Sequence, residues 1–362
     1  MVLGVRGMPN IPGGVETHAE QLYPRLAKLG CEVEVLVRTP FVPRGRASFG
    51  SVRLRRIWCP KQPGVEALLH SIFGVLYAGF ARPDILHVHA IGPALVTPIA
   101  RLLGLRVVVT HHGADYERDK WGAFVRWGLR IGECVGMRFS HDRIAVSRII
   151  MDLIRVKYHR ESELIFNGAV IHESVTEDEH VKRFGLESGR YFLQVSRIVP
   201  EKRQLDLISA YVAAQPSDWK LALVGGMGSD TYSEKVKKAA SAAGVVLTGS
   251  LTGRALEQLY SHAGAFVLPS SHEGLPIAML EALGYGLPVL ASDIPANLEV
   301  ALEESCYFSL GDIGMLADKL TQFACEPPSE IARSARRSWV AKKYDWDRIA
   351  ALTYELYRRL DA

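Results

Sequence analysis

Short apolar runs alternate with longer amphipathic segments along the whole chain. Runs typical of buried strands occupy residues 2–5, 32–37, 85–88, 107–110, 143–146 and 164–166 in the first half, and 191–195, 221–224, 245–247, 265–268 and 288–291 in the second. Helical segments separate them, which predicts parallel sheets with helical crossovers. Because such crossovers are right-handed, we expect an α/β protein with doubly wound sheets.

The chain length favours two domains rather than one. The chain has 362 residues, and its apolar fraction of 48% allows each half to bury a core. A turn-rich, acidic stretch at residues 167–179 lies between the halves. We therefore predict domains at residues 1–168 and 169–345, followed by a capped C-terminal helix at residues 346–362.

The charge and the cysteine content limit the possible ligands and the cellular compartment of the protein. The net charge of +4 is too small to indicate nucleic-acid binding. The five cysteines are odd in number and scattered, without a Cys-x-x-Cys pair, which predicts reduced thiols and no structural metal site. No signal peptide precedes the first predicted strand. These features predict a cytoplasmic protein.

One region could touch a membrane surface. Residues 65–80 are mostly apolar but shorter than the roughly 20 residues of a membrane span, so we expect a packed helix. Seven basic residues and no acidic ones lie just before it: Arg38, Arg44, Arg46, Arg53, Arg55, Arg56 and Lys61. This basic region is compatible with peripheral contact to anionic lipid, and equally with a solvated loop and edge strand.

The segment at residues 270–282 carries the strongest chemical signal. Glu273 and Glu281 lie eight positions apart, after a predicted strand and around Pro276, which we expect to open a helix. A helix start after a strand attracts anions such as phosphate. Two carboxylates beside bound phosphate make sense if they accept hydrogen bonds from hydroxyls on either side of a diphosphate. The pattern predicts a nucleotide-sugar pocket.

This segment resembles the Glu-x7-Glu motif of family 4 retaining glycosyltransferases, as does the later Gly-x-Pro-Val-Leu-Ala-Ser-Asp at residues 286–293. The resemblance implies the GT-B fold, in which two Rossmann-like domains face each other across a cleft. The N-terminal domain would serve the acceptor, the C-terminal domain the donor, and the last helix would pack back on the N-terminal domain. Glu273 would lie by the donor sugar and Glu281 by the ribose, with Gly274 and Leu275 also binding the donor.

Basic and glycine residues complete the predicted donor site. Arg197 and Lys202 follow the first strand of the second domain, where a guanidinium fork and a point charge suit a diphosphate. The resemblance implies that they hold the donor pyrophosphate. Gly13 and Gly14 follow the first strand, and glycine lets backbone approach a phosphate closely.

The remaining candidates come mainly from the resemblance. His112, at the end of the strand over residues 107–110, would lie by the donor sugar as a catalytic residue together with Glu273. Gly249 and Leu251 would meet the nucleotide base through their backbone. Glu16 and Asp115 are candidates for contacting the acceptor.

We expect no metal requirement and no cofactor. Asp345 and Asp347 match an Asp-x-Asp metal pattern, but they lie at a helix start, where Asp is a favoured cap. His87 and His89 alternate on one strand, and the sequence suggests no third ligand. A Gly-x-Gly-x-x-Gly motif is missing after the first strand, which argues against a dinucleotide oxidoreductase.

The predicted function is retaining transfer of a hexosyl group from a nucleotide-diphosphate sugar to an acceptor hydroxyl, in cell-surface polysaccharide or glycolipid synthesis. The expected partners are the nucleotide sugar and a saccharide or lipid-linked acceptor, at the inner face of the membrane. Two alternatives stay open: a non-hydrolysing sugar-nucleotide 2-epimerase, and a non-catalytic sugar-nucleotide binding protein. The sequence does not identify the sugar, the base or the acceptor.

Overall fold

A computed structural model describes residues 1–62, 64–117, 122–173, 175–216, 218–325 and 329–361. The chain divides into two compact units. Unit 1 comprises Met1–Gly168 and Trp346–Ala362, and unit 2 comprises Ala169–Asp345. The last helix of the chain therefore belongs to the unit that contains the first strand.

Unit 1 is built on an eight-stranded sheet in the order β3-β4-β2-β1-β5-β6-β7-β8. All neighbouring strands pair in parallel except β3 and β4, which pair antiparallel. The strands are β1 (Val2–Leu3), β2 (Glu34–Arg38), β3 (Ser48–Phe49), β4 (Val52–Ile57), β5 (Leu86–His89), β6 (Val107–His111), β7 (Asp142–Ala145) and β8 (Glu163–Leu164).

The helices of unit 1, apart from the last helix of the chain, lie between successive strands, as parallel pairing requires. They are α1 (Gly14–Lys28), α2 (Val65–Ala81), α3 (Thr97–Leu102), α4 (Ala123–Phe139), α5 (Arg148–Tyr158) and the C-terminal α14 (Trp346–Asp361). Two 3₁₀ turns, Pro93–Val96 and Asp115–Glu117, follow β5 and β6. An ion pair at 2.8 Å between Arg25 on α1 and Asp347 on α14 joins the two ends of the chain.

Unit 2 has a six-stranded parallel sheet in the order β11-β10-β9-β12-β13-β14. Its strands are β9 (Tyr191–Val195), β10 (Lys220–Val224), β11 (Val246–Gly249), β12 (Ala265–Leu268), β13 (Val289–Ser292) and β14 (Tyr307–Phe308). Its helices are α6 (Glu179–Arg183), α7 (Gln204–Ala214), α8 (Thr231–Ala243), α9 (Gly253–His262), α10 (Ile277–Gly284), α11 (Pro295–Leu298), α12 (Ile313–Cys325) and α13 (Glu330–Lys343). One core cluster packs side chains of β9, β10 and β12 against α7, α8 and α12.

The structure confirms the predicted fold class, because both units are doubly wound parallel α/β sheets. It also corrects one detail. Residues 52–57 are a strand inside the sheet rather than a solvated loop or edge, since β3 lies beyond β4. Buried Val52, Leu54 and Ile57 alternate there with exposed Arg53 and Arg55. The helix predicted after Pro276 is α10, which begins at Ile277 with Pro276 as its cap residue.

Two further findings bear on the setting of the protein. None of the helices in the described ranges is long and apolar enough to cross a membrane. All five cysteines are free thiols. The packed helix expected near residues 65–80 is α2, with buried His70, Ser71, Gly74, Val75 and Ala78 on one side.

Candidate active site

In unit 2, the predicted donor residues gather at one edge of the sheet. Because the strands are parallel, the loops that follow β9, β11 and β12 leave at the same edge. Arg197 and Glu273 lie in the loops after β9 and β12, and Gly249 is the last residue of β11. The Ser271 amide donates to the Glu201 carbonyl at 2.9 Å, which ties the Glu273 loop to the turn that follows Arg197.

Lys202 and Glu273 form an ion pair at this edge. The two side chains are only 18% and 11% exposed, so the pair is largely shielded from water. Lys202 lies in a 3₁₀ turn, and its carbonyl accepts a hydrogen bond from Gln194 on β9 at 2.9 Å. The structure thus brings together a predicted phosphate ligand and a predicted sugar ligand, with their charges balanced.

Glu281 lies inside α10, where Tyr260 orients it. The Tyr260 hydroxyl donates to the Glu281 carboxylate at 3.1 Å, and the ring stacks on Tyr285 with centroids 5.1 Å apart. Burial, with the nearby Glu281 carboxylate, raises the pKa of Tyr260 well above its usual value, so the hydroxyl keeps its proton. Tyr260 can therefore act as a fixed donor that holds the carboxylate in place.

The two arginines after β9 differ in their surroundings. Arg197 is exposed, and its carbonyl accepts a hydrogen bond from Gln204 at 2.9 Å. Arg203 instead donates to Asp206 at 2.6 Å and has a left-handed backbone conformation, with φ of 49°. Arg197 is therefore the more exposed of the two, whereas Asp206 holds the guanidinium of Arg203.

The backbone candidates of unit 2 lie on the same loops. Gly249 ends β11 with φ of +72°, a conformation that favours glycine, and its carbonyl accepts from the Gly225 amide at 2.9 Å. Leu251 is half-buried two residues later. Gly274 is half-buried and Leu275 is buried, just before α10.

In unit 1, Glu16 near the start of α1 binds Arg6, and the absence of a side chain at Gly13 leaves room for this contact. The Glu16 carboxylate accepts from the backbone amide, Nε and Nη2 of Arg6 at 2.9–3.1 Å. A Cβ at Gly13, where φ is +152°, would lie 2.1 Å from Glu16 and 2.3 Å from Arg6. Gly14 is the first residue of α1. The buried Glu16 thus holds the loop that follows β1, and its contact with the acceptor stays a prediction.

His112 lies in a cluster with His18 and His89. Its Nε2 is 2.9 Å from Nδ1 of His89, and its ring centroid is 4.9 Å from that of His18. One ring nitrogen of each histidine lies within 4.8 Å of the other two. Burial, reinforced by the neighbouring rings, lowers the pKa of His89 and His112 well below the usual value, so both are neutral at pH 7.

A chain of buried polar groups continues from this cluster. The Tyr23 hydroxyl bonds to His89 Nε2 and to His87 Nδ1, the latter at 3.2 Å. His87 Nδ1 also contacts the Tyr357 hydroxyl on α14, and its Nε2 contacts the Thr110 hydroxyl at 2.6 Å. The orientation of His89, and through it of His112, therefore depends on residues from both ends of the chain.

A second buried network lies behind the loop that carries His112. Glu133 on α4 is fully buried and accepts hydrogen bonds from His111 at 2.9 Å, Tyr116 at 3.2 Å, Lys157 at 2.5 Å, and Tyr158. Burial alone would raise the pKa of Glu133, but the donors outweigh it and lower the pKa to about 2. His111 thus supports the loop, and Glu133 holds the chain on both sides of residues 112–115.

Several of these residues were not predicted from the sequence. Tyr260, Glu133 and Asn167 are distant in sequence from the groups they orient, so no local motif marks them. The sequence suggested no third ligand beside His87 and His89, whereas the structure places His18 and His112 beside His89. Asp115 lies in the turn Asp115–Glu117, where its amide donates to the Gly113 carbonyl at 3.0 Å. Asp347, which is part of the Asp-x-Asp pattern, forms an ion pair with Arg25.

Both halves of the chain match models of glycosyltransferase families. Residues 12–172 match the model described as Glycosyltransferase Family 4, and residues 176–339 match that of Glycosyl transferases group 1. Together the two models leave only the ends of the chain and residues 173–175 unmatched.

Curated proteins with similar sequences are also named as glycosyltransferases. The chain is 29% identical over 309 residues to a GDP-mannose-dependent alpha-mannosyltransferase of Mycolicibacterium smegmatis, a match that covers 79% of this chain and 77% of that protein. It is 26% identical over 350 residues to the sulfoquinovosyl transferase of Arabidopsis thaliana, covering 89% of this chain. The matches span 66% of the length of that protein and 54% of the Bacillus subtilis glycosyltransferase TuaC.

Solved structures show the same fold. Sucrose-phosphate synthase from Thermosynechococcus elongatus superposes with a TM-score of 0.85 at 20% identity, over 99% of this chain and 98% of that one. Anabaena HepE in complex with UDP-glucose gives a TM-score of 0.77 at 18% identity, over the same shares. The chain has the GT-B fold, and it belongs to glycosyltransferase family 4.

Proposed function

We propose that this glycosyltransferase moves a hexosyl group from a nucleotide-diphosphate sugar to an acceptor hydroxyl with retention of configuration, and that it needs no metal for this. The observation that carries the proposal is the set of charges at the edge of the unit 2 sheet. Lys202 and Glu273 are paired there, Arg197 is exposed, and Tyr260 holds Glu281. Relatives named for GDP-mannose and a neighbour solved with UDP-glucose support a nucleotide sugar as donor.

The basic side chains would take the place of a metal ion at the diphosphate. Arg197 can form two parallel hydrogen bonds to phosphate oxygens, and Lys202 adds a point charge. Both would also stabilise the negative charge that develops on the leaving diphosphate. Glu281 would accept hydrogen bonds from the ribose hydroxyls, and Glu273 from a hydroxyl of the donor sugar.

Retention would follow from a front-face path. The bond between the anomeric carbon and the phosphate oxygen breaks, and the bond to the acceptor oxygen forms on the same face of the sugar. The leaving diphosphate takes the acceptor proton. Neutral His112 would position the sugar by a hydrogen bond, which contributes through orientation rather than covalent chemistry.

The natural setting we propose is cell-surface polysaccharide or glycolipid synthesis, with a saccharide or lipid-linked acceptor. Several side chains of the basic region are engaged in ion pairs, so we propose the membrane contact for the others. Arg38 is buried against Glu66, while Arg53 and Arg55 pair with Glu32 and Glu34. Arg44, Arg46, Trp58 and Lys61 are exposed, and we assign the proposed contact with anionic lipid to them. Binding to anionic but not neutral vesicles would test this part.

A thermal-shift panel of UDP, GDP, ADP and their common sugar conjugates, in EDTA, tests the donor site. A ligand at 100 times its Kd adds about 2.7 kcal/mol of stability. A shift with one nucleotide family that persists in EDTA supports the proposal and identifies the base. The absence of any shift, or a shift that requires added metal, contradicts the proposed donor site.

Arg197→Ala tests the pyrophosphate role, with Arg203→Ala as its matched control. A charge-assisted hydrogen bond is worth about 1.5–3 kcal/mol, so Arg197→Ala should weaken nucleotide-diphosphate binding by about 10- to 100-fold. Arg203 pairs with Asp206, so its replacement should leave the affinity nearly unchanged. Equal effects of the two substitutions, measured by calorimetry, would remove Arg197 from the site.

Product analysis separates the alternatives. A transferase releases nucleotide diphosphate in proportion to the added acceptor and forms a glycoside of retained configuration. A 2-epimerase changes the donor sugar without an acceptor, and a non-catalytic binding protein leaves the donor intact. Chromatography and NMR of the donor that the thermal-shift panel selects would decide among the three.

A further inference from the structure

We propose that His18, His89 and His112 form a binding site in unit 1 for a divalent transition-metal ion such as Zn²⁺, and that metal bound there inhibits sugar transfer. The three histidines come from α1, from β5 and from the residue after β6. One ring nitrogen of each lies within 4.8 Å of the other two. Three imidazoles suit Zn²⁺, Cu²⁺ or Ni²⁺ rather than Mg²⁺ or Ca²⁺.

The ring nitrogens that remain available converge on one point. Nδ1 of His18 bonds to the Asn167 side chain at 2.9 Å, whereas its Nε2 has no hydrogen-bond partner among the described residues. His18 is 2% exposed, so water does not compensate this nitrogen. Nδ1 of His89 and Nε2 of His112 face each other at 2.9 Å. A metal ion would take one lone pair from each ring and satisfy the buried nitrogen of His18.

In two of these rings, the nitrogen that would not bind the metal already has a hydrogen-bond partner, which orients the ring. Asn167 fixes His18, and the Tyr23 hydroxyl contacts Nε2 of His89. Metal-binding histidines in proteins are usually held in this way by a partner on the other ring nitrogen, which sets the tautomer and the orientation of the ring.

The inhibitory effect rests on the proposed function of His112. Metal coordination would occupy one of its two ring nitrogens and hold the ring against His18 and His89. The ring would then have less freedom to meet the hydroxyl of a donor sugar. Three protein ligands leave a fourth position open in a tetrahedral ion, so the metal could be removed by a chelator.

The binding test uses the full chain after treatment with a chelator and exchange into metal-free buffer. We expect calorimetry to show one equivalent of tightly bound Zn²⁺, and Co²⁺ to give the visible absorption of tetrahedral coordination. His18→Gln and His89→Gln should each weaken Zn²⁺ binding by at least the 10- to 100-fold typical of losing an outer partner. His159→Asn is the control, because His159 is exposed at a position with φ of 51°, which Asn tolerates.

Binding that is absent in the wild type, that persists in both cluster variants, or that is lost in His159→Asn would overturn the metal site. Circular dichroism identifies a variant that fails to fold, in which case the wild-type stoichiometry and the Co²⁺ spectrum decide. The inhibition is tested separately, as loss of transfer at one equivalent of Zn²⁺ and recovery in EDTA. Full activity with the site occupied would overturn the inhibitory role alone, whereas Zn²⁺ binding without any transferase activity would contradict the proposed function alone.

Discussion

The two units handle polar groups in opposite ways. Unit 1 buries neutral histidines in hydrogen-bonded chains, as in the cluster of His18, His89 and His112. Unit 2 keeps its candidate groups charged at the edge of the sheet, as in the pair of Lys202 and Glu273. Neutral buried rings can position a ligand without a large cost of desolvation. Fixed charges can instead balance a ligand that is itself charged, which suits a diphosphate.

Lowering the pH should have the largest effect, because it should destabilise unit 1 more than unit 2. Burial lowers the pKa of His18 from 6.5 to about 4 and that of His70 to about 3. Between these values and 6.5 the unfolded chain binds more protons than the folded chain, so stability falls as pH falls. At pH 5 each of the two histidines should remove about 2 kcal/mol.

Hydrogen exchange followed by mass spectrometry, between pH 7 and pH 5, can monitor each unit in the full chain. We expect peptides from unit 1 to lose protection first. Earlier loss in unit 2, or unchanged protection of unit 1 at pH 5 after correction for the intrinsic rate, would contradict the contrast.

Glu133→Gln should give the largest loss of stability for a single substitution. The fully buried carboxylate serves four donors, and breaking a buried ion pair costs roughly 3–5 kcal/mol. Lys157 is 43% exposed and can be rehydrated, so we expect about 2–3 kcal/mol in urea unfolding. The control is Asp152→Asn, which breaks the exposed pair with Arg155 and should cost less than about 1 kcal/mol.

The pH dependence of wild-type stability should show that Glu133 is charged in the folded protein. Its pKa is lowered from 4.5 to about 2, so its contribution to stability is present above pH 4.5 and is lost as pH falls toward 2. Glu133→Gln should lack this part of the pH dependence. The same acid profile in both proteins would show that Glu133 is not held as a carboxylate.

His112→Gln and Glu273→Gln should each lower turnover by about 10²-fold or more, since both residues are assigned to positioning the sugar. Their effects on nucleotide-diphosphate affinity should differ. Glu273→Gln releases Lys202 from its ion pair and should tighten nucleotide binding, whereas His112→Gln should not change it. Steady-state kinetics and calorimetry measure both effects. Near-normal turnover in both variants would remove the two catalytic assignments.

Tyr260→Phe should have the smallest effect. It removes the hydrogen bond to Glu281 at 3.1 Å but leaves the ring stacked on Tyr285. A loss of about 1 kcal/mol would weaken nucleotide binding about fivefold. Tyr307→Phe is the control, because its hydroxyl donates to the Asn297 carbonyl instead. If both substitutions weaken binding equally, Tyr260 acts on folding rather than on Glu281.

The sequence predicted the sheets well because buried parallel strands appear as short apolar runs between helices. β4 was missed as an internal strand because arginines at alternate positions hide its buried side chains. The donor-side carboxylates were recognisable because the Glu-x7-Glu spacing spans a single loop and helix. Partners such as Asn167, 149 residues from His18, are brought close only by tertiary folding and leave no local pattern.

The position of α14 has a consequence for synthesis of the chain. Unit 1 includes Trp346–Ala362, and Tyr357 on α14 contacts His87 in the buried polar chain. On the ribosome, the first 168 residues emerge long before this helix exists. Unit 1 therefore cannot complete its fold until all of unit 2 has been synthesised. Until then, His87 lacks its contact with Tyr357. Removal of α14 should impair the histidine cluster of unit 1 although the residues of that cluster are intact.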